Sequence, residues 1–278
     1  MKAIAHITLV SLTCTVAHAA TVLQTTLISD GSGGLSQGNP FFDPTTSLGG
    51  NQSAGLWDGV SNQDHSSGYG NYPGFTSWSN PMAANSSTGS FTAALNYGSA
   101  GAGGGPYAAG QRIYAGGMSL IPNTDGGQLL LSDATPLADL QTLVFQIQIG
   151  GAFGYDFHNN TLPTLTINGT GASLAADFSS IIDHASGTYT LEGDDLDIEA
   201  RTYTMQWDLS GITEPITSFE LAIDIVQHAQ IYGLQLNQSD ASHASSILPA
   251  AIPEPSLAIL SLCALPALVR RNRQTRQR

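Results

Sequence analysis

Four aromatic residues, Trp57, Tyr69, Tyr72 and Trp78, stand among Gly, Asn and Ser in the first third of the chain. Aromatic rings stack on the C–H faces of sugars while Asn, Gln and Asp oxygens accept from hydroxyls, so this mixture suits contact with an extracellular polysaccharide. Core packing is the alternative role for the same rings. Further on, Glu192, Asp194, Asp195, Asp197 and Glu199 form the densest acidic run. Calcium takes about six to eight oxygens at roughly 2.4 Å, which makes Asp194, Asp195, Asp197 and Glu199 candidate calcium ligands if Gly193 lets the run curl into a loop. On a flat strand, same-face carboxylates are spaced by roughly 6.6 Å, too far to share one ion well, and the run is then a solvated acidic segment. Calcium is the one cofactor these residues suggest.

Other chemistry is weaker. In Tyr155-Asp156-Phe157-His158 an extended backbone would put Asp156 and His158 on one face, where a carboxylate can orient an imidazole for general-base work; a hydrogen-bonded surface pair does the same without catalysis. His65, His184, His228 and His243 lack metal-ligand spacing and read as solvated or capping side chains. There is no Gly-x-Ser-x-Gly elbow, no His-Glu-x-x-His, and no Lys beside the glycine-rich stretch to cradle phosphate. No catalytic residue is assigned, and the chain reads as non-enzymatic. A glycan-processing enzyme would need two carboxylates facing one groove.

The elements that must position these residues read as strands. Leu143, Phe145, Ile147 and Ile149 alternate with Thr142, Val144, Gln146 and Gln148, putting apolar residues on one face and amides on the other. Tyr203, Met205, Trp207 and Leu209 repeat the pattern, as do Phe219, Leu221, Ile223 and Ile225, and then Tyr232, Leu234 and Leu236. Leu165 with Ile167, and Tyr189 with Leu191, mark shorter strands. No sustained helical period separates them, so the expected fold is all-β: an antiparallel β-sandwich of jelly-roll type with long Gly-rich loops. From Ser29 to Gly110, 18 of 82 residues are Gly, interspersed with aromatics that free linkers lack. Long ordered loops are expected there, with short strands near Gly55 to Asp58, Phe75 to Trp78 and Ser90 to Leu95, and a mobile tip at Gly101 to Pro106.

Charge narrows the partners. The 278 residues include 21 acidic and 8 basic side chains. Arg112 and Arg201 are the only basic residues between the two ends, against 20 acidic ones once Glu254 is set aside, so the middle of the chain carries −18. Nucleic-acid binding depends on clustered Lys and Arg and is excluded on that ground. Both cysteines, Cys14 and Cys263, lie near the ends, which leaves stability to the core.

Both ends read as addresses. Lys2 precedes the apolar run Ile4 to Val16, and Ala17 and Ala19 are the small residues that signal peptidase reads, so residues 1–19 form a cleaved signal helix. Residues 20–238 are the exported domain and 239–252 a Ser- and Ala-rich spacer. In residues 253–278, Pro253-Glu254-Pro255 is followed by the apolar stretch Leu257 to Val269 and by Arg270, Arg271 and Arg273. Thirteen helical residues span roughly 20 Å against a hydrocarbon core of about 30 Å, a marginal anchor, with the arginines held on the cytoplasmic side.

That order of motif, short apolar helix and basic tail resembles the PEP-CTERM sorting signal of bacterial exported proteins. The resemblance covers about 26 of the 278 residues. It implies cutting near Pro253, Glu254 and Pro255 by an exosortase-type membrane protease, in bacteria that make extracellular polysaccharide. The precursor would be held in the inner membrane by its tail with the passenger outside, and the mature form would be at the cell surface or secreted. It implies no activity for the passenger. The expected function is that of an exported surface or extracellular-matrix protein; a lectin-like polysaccharide-binding module is the alternative.

Overall fold

The computed structural model describes residues 28–29, 35–36, 40–58, 81–109, 112–117, 119–150, 154–191 and 194–252. The expected signal helix, with Ala17 and Ala19, and the sorting tail, with Pro253, Glu254, Pro255, Arg270, Arg271 and Arg273, lie outside them. Among the described residues no helix is long and apolar enough to cross a membrane.

The chain is all-β. In order it forms β1 (Ile28–Ser29), β2 (Leu35–Ser36), the short helix α1 (Thr45–Leu48), β3 (Gln52–Asp58), β4 (Met82–Ala83), β5 (Ser86–Thr88), β6 (Ala94–Ala100), β7 (Gly104–Ala109), β8 (Arg112–Gly116) and β9 (Asp125–Asp133). The second half adds β10 (Thr142–Gly150), β11 (Thr164–Ile167), β12 (Phe178–Leu191), β13 (Asp194–Asp208), β14 (Phe219–Val226) and β15 (Gln230–Ser239). The larger sheet runs β12-β13-β10-β15-β3-β5, with β8 also beside β15 and β7 beside β8; the smaller runs β11-β14-β9-β6-β4, and β1 and β2 pair only with each other. Every pairing is antiparallel.

The two sheets face each other across one core. From the larger come Phe145, Ile147, Met205, Trp207 and Leu234, and from the smaller Leu129, Leu131, Leu221, Ile223 and Leu165, all buried in one cluster. The first strand of the sandwich pairs with the last, β3 with β15, while β9 pairs with β14. Such nesting of outer strands around inner ones is the interleaving of a jelly roll. It departs from that pattern at β12, which pairs with β13 at the edge of the larger sheet.

Three details differ from the alternation read in the sequence. A bulge opposite Gln148 and Ile149 shifts the register of β15, so Tyr232 turns to the outer face and packs with Ala185 and Ala200, while Leu234 and Leu236 stay in the core. The segment expected as a mobile tip is part of a ladder, with Gly104–Ala109 forming β7 against β8. Residues 239–252, expected as a spacer, follow the outer face of the larger sheet. Thr142 Oγ1 donates to Ala241 O at 2.7 Å, Gln206 Nε2 to His243 O and Ser245 O at 3.0 and 3.1 Å, Ser180 Oγ to Pro249 O at 3.0 Å, and Ile252 N to Ile181 O at 2.9 Å.

Candidate functional site

Trp57 does not present its ring to solvent. It lies on the inward face of β3, is fully buried, stacks edge-on against Phe91 with ring centroids 5.7 Å apart, and donates through Nε1 to Met82 O at 3.1 Å. The partner ring fits because Gly55 has no side chain: a Cβ there would come within 2.1 Å of Phe91. Trp57 is therefore core, which corrects its reading as a glycan contact. Tyr69, Tyr72 and Trp78 lie outside the described residues.

The acidic run is the first part of a strand. Asp194, Asp195, Asp197 and Glu199 pair through their backbones with Leu191, Thr190, Thr188 and Ser186 of β12. The backbone of this run is extended, where the calcium reading calls for a curled loop. Among the described residues no three His, Cys, Asp or Glu side chains are grouped to hold a metal. Glu199 lies beside two side chains of its own sheet, with Oε2 3.4 Å from His184 Nε2 and 3.7 Å from the Arg201 guanidinium at Nη2.

Asp156 belongs to the same corner. Its carboxylate is buried and accepts from Arg201 Nη1 at 3.1 Å and from the Tyr203 hydroxyl at 2.6 Å. Burial works against the Arg201 charge, but the Asp156 carboxylate, with Tyr203 and Glu199, outweighs it and holds the guanidinium above its ordinary value. His158 opens a short 3-10 turn instead of extending beside Asp156, so the two do not form an acid–base pair. This corner pins the long hairpin of β12 and β13 to the rest of the sandwich. His228 and His243 act as caps: His228 Nε2 lies 3.0 Å from Ser119 O, and His243 Nε2 lies 2.6 Å from Leu48 O at the end of α1.

The concave feature with the widest mix of chemistry was not read from the sequence. It is a trough of about 330 Å³ on the outer face of the larger sheet. Ala54 and Leu56 of β3 and Gln235 and Asn237 of β15 form its floor, Ser86, Ser87 and Thr88 of β5 one rim, and Phe41, Phe42, Asp43 and Thr45 the other. The floor follows from register, since Ala54 lies opposite Asn237 and Leu56 opposite Gln235, while the alternate residues Gly55 and Trp57 face the core. Space remains because Ala54 is short and β5 offers only hydroxyl side chains.

The aromatic rim is held in place by the sheet beneath it. Gln146, on the outer face of β10, accepts from Phe42 N at 3.1 Å and donates to Phe42 O at 2.9 Å, the two-bond pairing a strand edge would give. Phe41 reaches across Gly233, where a Cβ would come within 3.2 Å of its ring. Asp43 Oδ1 accepts from Thr45 N at 2.9 Å at the start of α1; the side-chain and backbone hydrogen bonds from Thr45 hold this carboxyl below its ordinary value. On the floor, Gln235 Nε2 donates to Asn237 Oδ1 at 2.9 Å.

A second cleft of about 250 Å³ opens where Asp139, Leu140 and Gln141 meet residues 209–216. Asp139 and Glu214 give it two carboxylates, but no aromatic ring lines it. No protein-family model, curated protein or solved structure matches the chain.

Proposed function

We propose that the chain is an exported bacterial surface or extracellular-matrix protein, non-enzymatic, sorted through its C-terminal tail by an exosortase-type membrane protease. The observation that carries this reading is the order Pro253-Glu254-Pro255, an apolar stretch from Leu257 to Val269, and Arg270, Arg271 and Arg273 at the extreme end. A passenger without cysteine between residues 20 and 252 and with one continuous apolar core needs no disulfide chemistry during export, which is compatible with that route. Signal peptidase would act at Ala19, and the tail would hold the precursor in the membrane until it is cut.

Expression of the tagged full chain in a bacterium that carries an exosortase tests the proposal. Wild type is expected to lose its tail and reach the surface or medium, while Glu254→Ala and a chain truncated after Ile252 lose that outcome, the first accumulating as membrane-held precursor. Identical processing of wild type and Glu254→Ala would overturn it.

A second reading, a lectin-like module for extracellular polysaccharide, is favoured by the trough. Two half-buried aromatic rings beside amides and hydroxyls is the combination sugars require. Asp43 is the only carboxylate among the lining residues, whereas glycoside hydrolysis uses two, so the lining supports binding.

A further inference from the structure

We infer that the trough between β5 and Phe41–Phe42 is a saccharide subsite that takes a short stretch of neutral polysaccharide, held through adjacent hydroxyls by Gln235 and Asn237. The inference rests on the lectin-like reading and adds to it a place, a set of contacts and a charge class.

Hydrogen bonding on the floor sets the contacts. An amide carries two donors and a carbonyl acceptor. Because Gln235 Nε2 donates to Asn237 Oδ1, that bond leaves Gln235 Oε1 as an acceptor and Asn237 Nδ2 as a donor, side by side on one face of β15. Asn237 is only 2% exposed, so its rotamer is fixed by packing before anything binds; it presents a small polar edge to the trough and holds in place the half-buried Gln235, which makes the larger contact. An acceptor and a donor at neighbouring positions match two adjacent hydroxyls of a sugar ring, one donating and one accepting. Ser86 and Thr88 add hydroxyls from the opposite rim, since both share the outer face with Leu56 and Ala54.

The rings set the remaining surface. Phe42 is tied by both backbone groups to Gln146, so its ring stands at the rim without needing to be ordered by the ligand. Such a ring can cover the apolar face of a pyranose. The trough lies at the small end of the roughly 300–1,000 Å³ range of ligand sites, room for about two sugar rings.

Charge sets the class. No Lys or Arg lines the trough, Asp43 brings a negative charge, and Arg112 and Arg201 are placed elsewhere on the sheet. A uronate or sulfated chain would be repelled with nothing to pair it, whereas a neutral chain meets acceptors and donors only.

The test is affinity electrophoresis of the full chain in mild detergent through gels carrying β-glucan, α-glucan, mannan, galactan or alginate. Ser86→Trp and Gln235→Ala are run alongside, with thermal unfolding as the folding control. Ser86 is exposed on β5, so the Trp fills the trough without entering the core. Wild type is expected to be retarded by at least one neutral polysaccharide, and both variants to weaken that binding at least about tenfold at an unchanged unfolding midpoint. Retardation that both variants retain would overturn this site and leave a lectin that binds elsewhere. Retardation by alginate alone would overturn the charge class. No retardation of wild type anywhere in the panel would remove the lectin reading and this site with it.

Discussion

At the middle of the larger sheet the inner and outer faces are buried to a similar degree by opposite chemistry. Along β10 every residue is buried. Leu143, Phe145, Ile147 and Ile149 face the smaller sheet, whereas Val144, Gln146 and Gln148 face outward beneath residues 41–42 and 240–252. Each apolar side chain on the inner face contributes about 1.5–3 kcal/mol through removal from water. An amide on the outer face contributes only about 0.5–1.5 kcal/mol net per hydrogen bond, and only when partnered. The outer face is not fully partnered, since the hydroxyls of Thr202 and Thr204 are buried without one. The inner face therefore holds the fold together, while the outer face fixes where two strips of backbone run. Gln146 and Gln206 do this by side-chain amides that imitate a strand edge, each bonding the backbone of a segment that is not itself a strand.

The largest expected effect lies on the inner face. Phe145→Ala should cost about 3–5 kcal/mol through the lost transfer and the cavity left behind, read from the midpoint of a urea titration; a loss below about 1 kcal/mol would mean that the two faces do not differ as described. Next comes Tyr232 on the outer face, where burial pushes the phenol up to about 12. A group whose folded value exceeds its unfolded one, about 10 for Tyr, stabilises fully below the unfolded value and loses that contribution as pH rises to the folded one. Stability should thus fall by about 2 kcal/mol between roughly pH 10 and 12, and Tyr232→Phe should abolish this component of the alkaline titration. Gln206→Leu removes three bonds to the strip of residues 243–247 but leaves groups that water can reach, so about 1–2 kcal/mol is expected. Hydrogen exchange should quicken at Ile247 and Ile252 while β10 amides stay protected. The smallest effect belongs to the trough rim, where Ser86→Trp should change stability by no more than about 0.5 kcal/mol.

Periodicity in the sequence identified which residues share a face but could not say whether that face is wet. The alternation of Phe145 and Ile147 with Gln146 and Gln148 predicts the strand and its inward side correctly. It gives no sign that the amides are covered, because the covering segments 41–42 and 240–252 have no periodicity of their own. Strand β9 shows no alternation, because Leu129, Leu130 and Leu131 run together after Gly126 and Gly127, and in β7 the glycines hide it. Tyr232 followed the alternation until one bulge moved it to the other face. At the candidate site the signals divided differently. Trp57 was legible as an aromatic in a Gly- and Asn-rich setting, yet the same alternation that buries Ser53 and Gly55 puts it in the core. Gln235 and Asn237, which form the floor of the trough, look like ordinary outward-facing strand residues until β5 and Phe41–Phe42 are brought beside them.

The strip beyond β15 also determines how the molecule would respond to force. A pull on the chain at Ile252 loads first its bond to Ile181, then Ser180, then Gln206, then Leu48 through His243, then Thr142, and last Asn51 through Asp240. These contacts are met in succession, so they break one at a time at low load, as in a zipper. Twelve residues released from Ala241 onward would add roughly 40 Å of extended chain. Only then does tension reach β15, which is held on one side by β10 and on the other by β3 and β8 and must shear both ladders together. The molecule thus has a compliant element in series with a stiff one, and slack is paid out before the sandwich is strained.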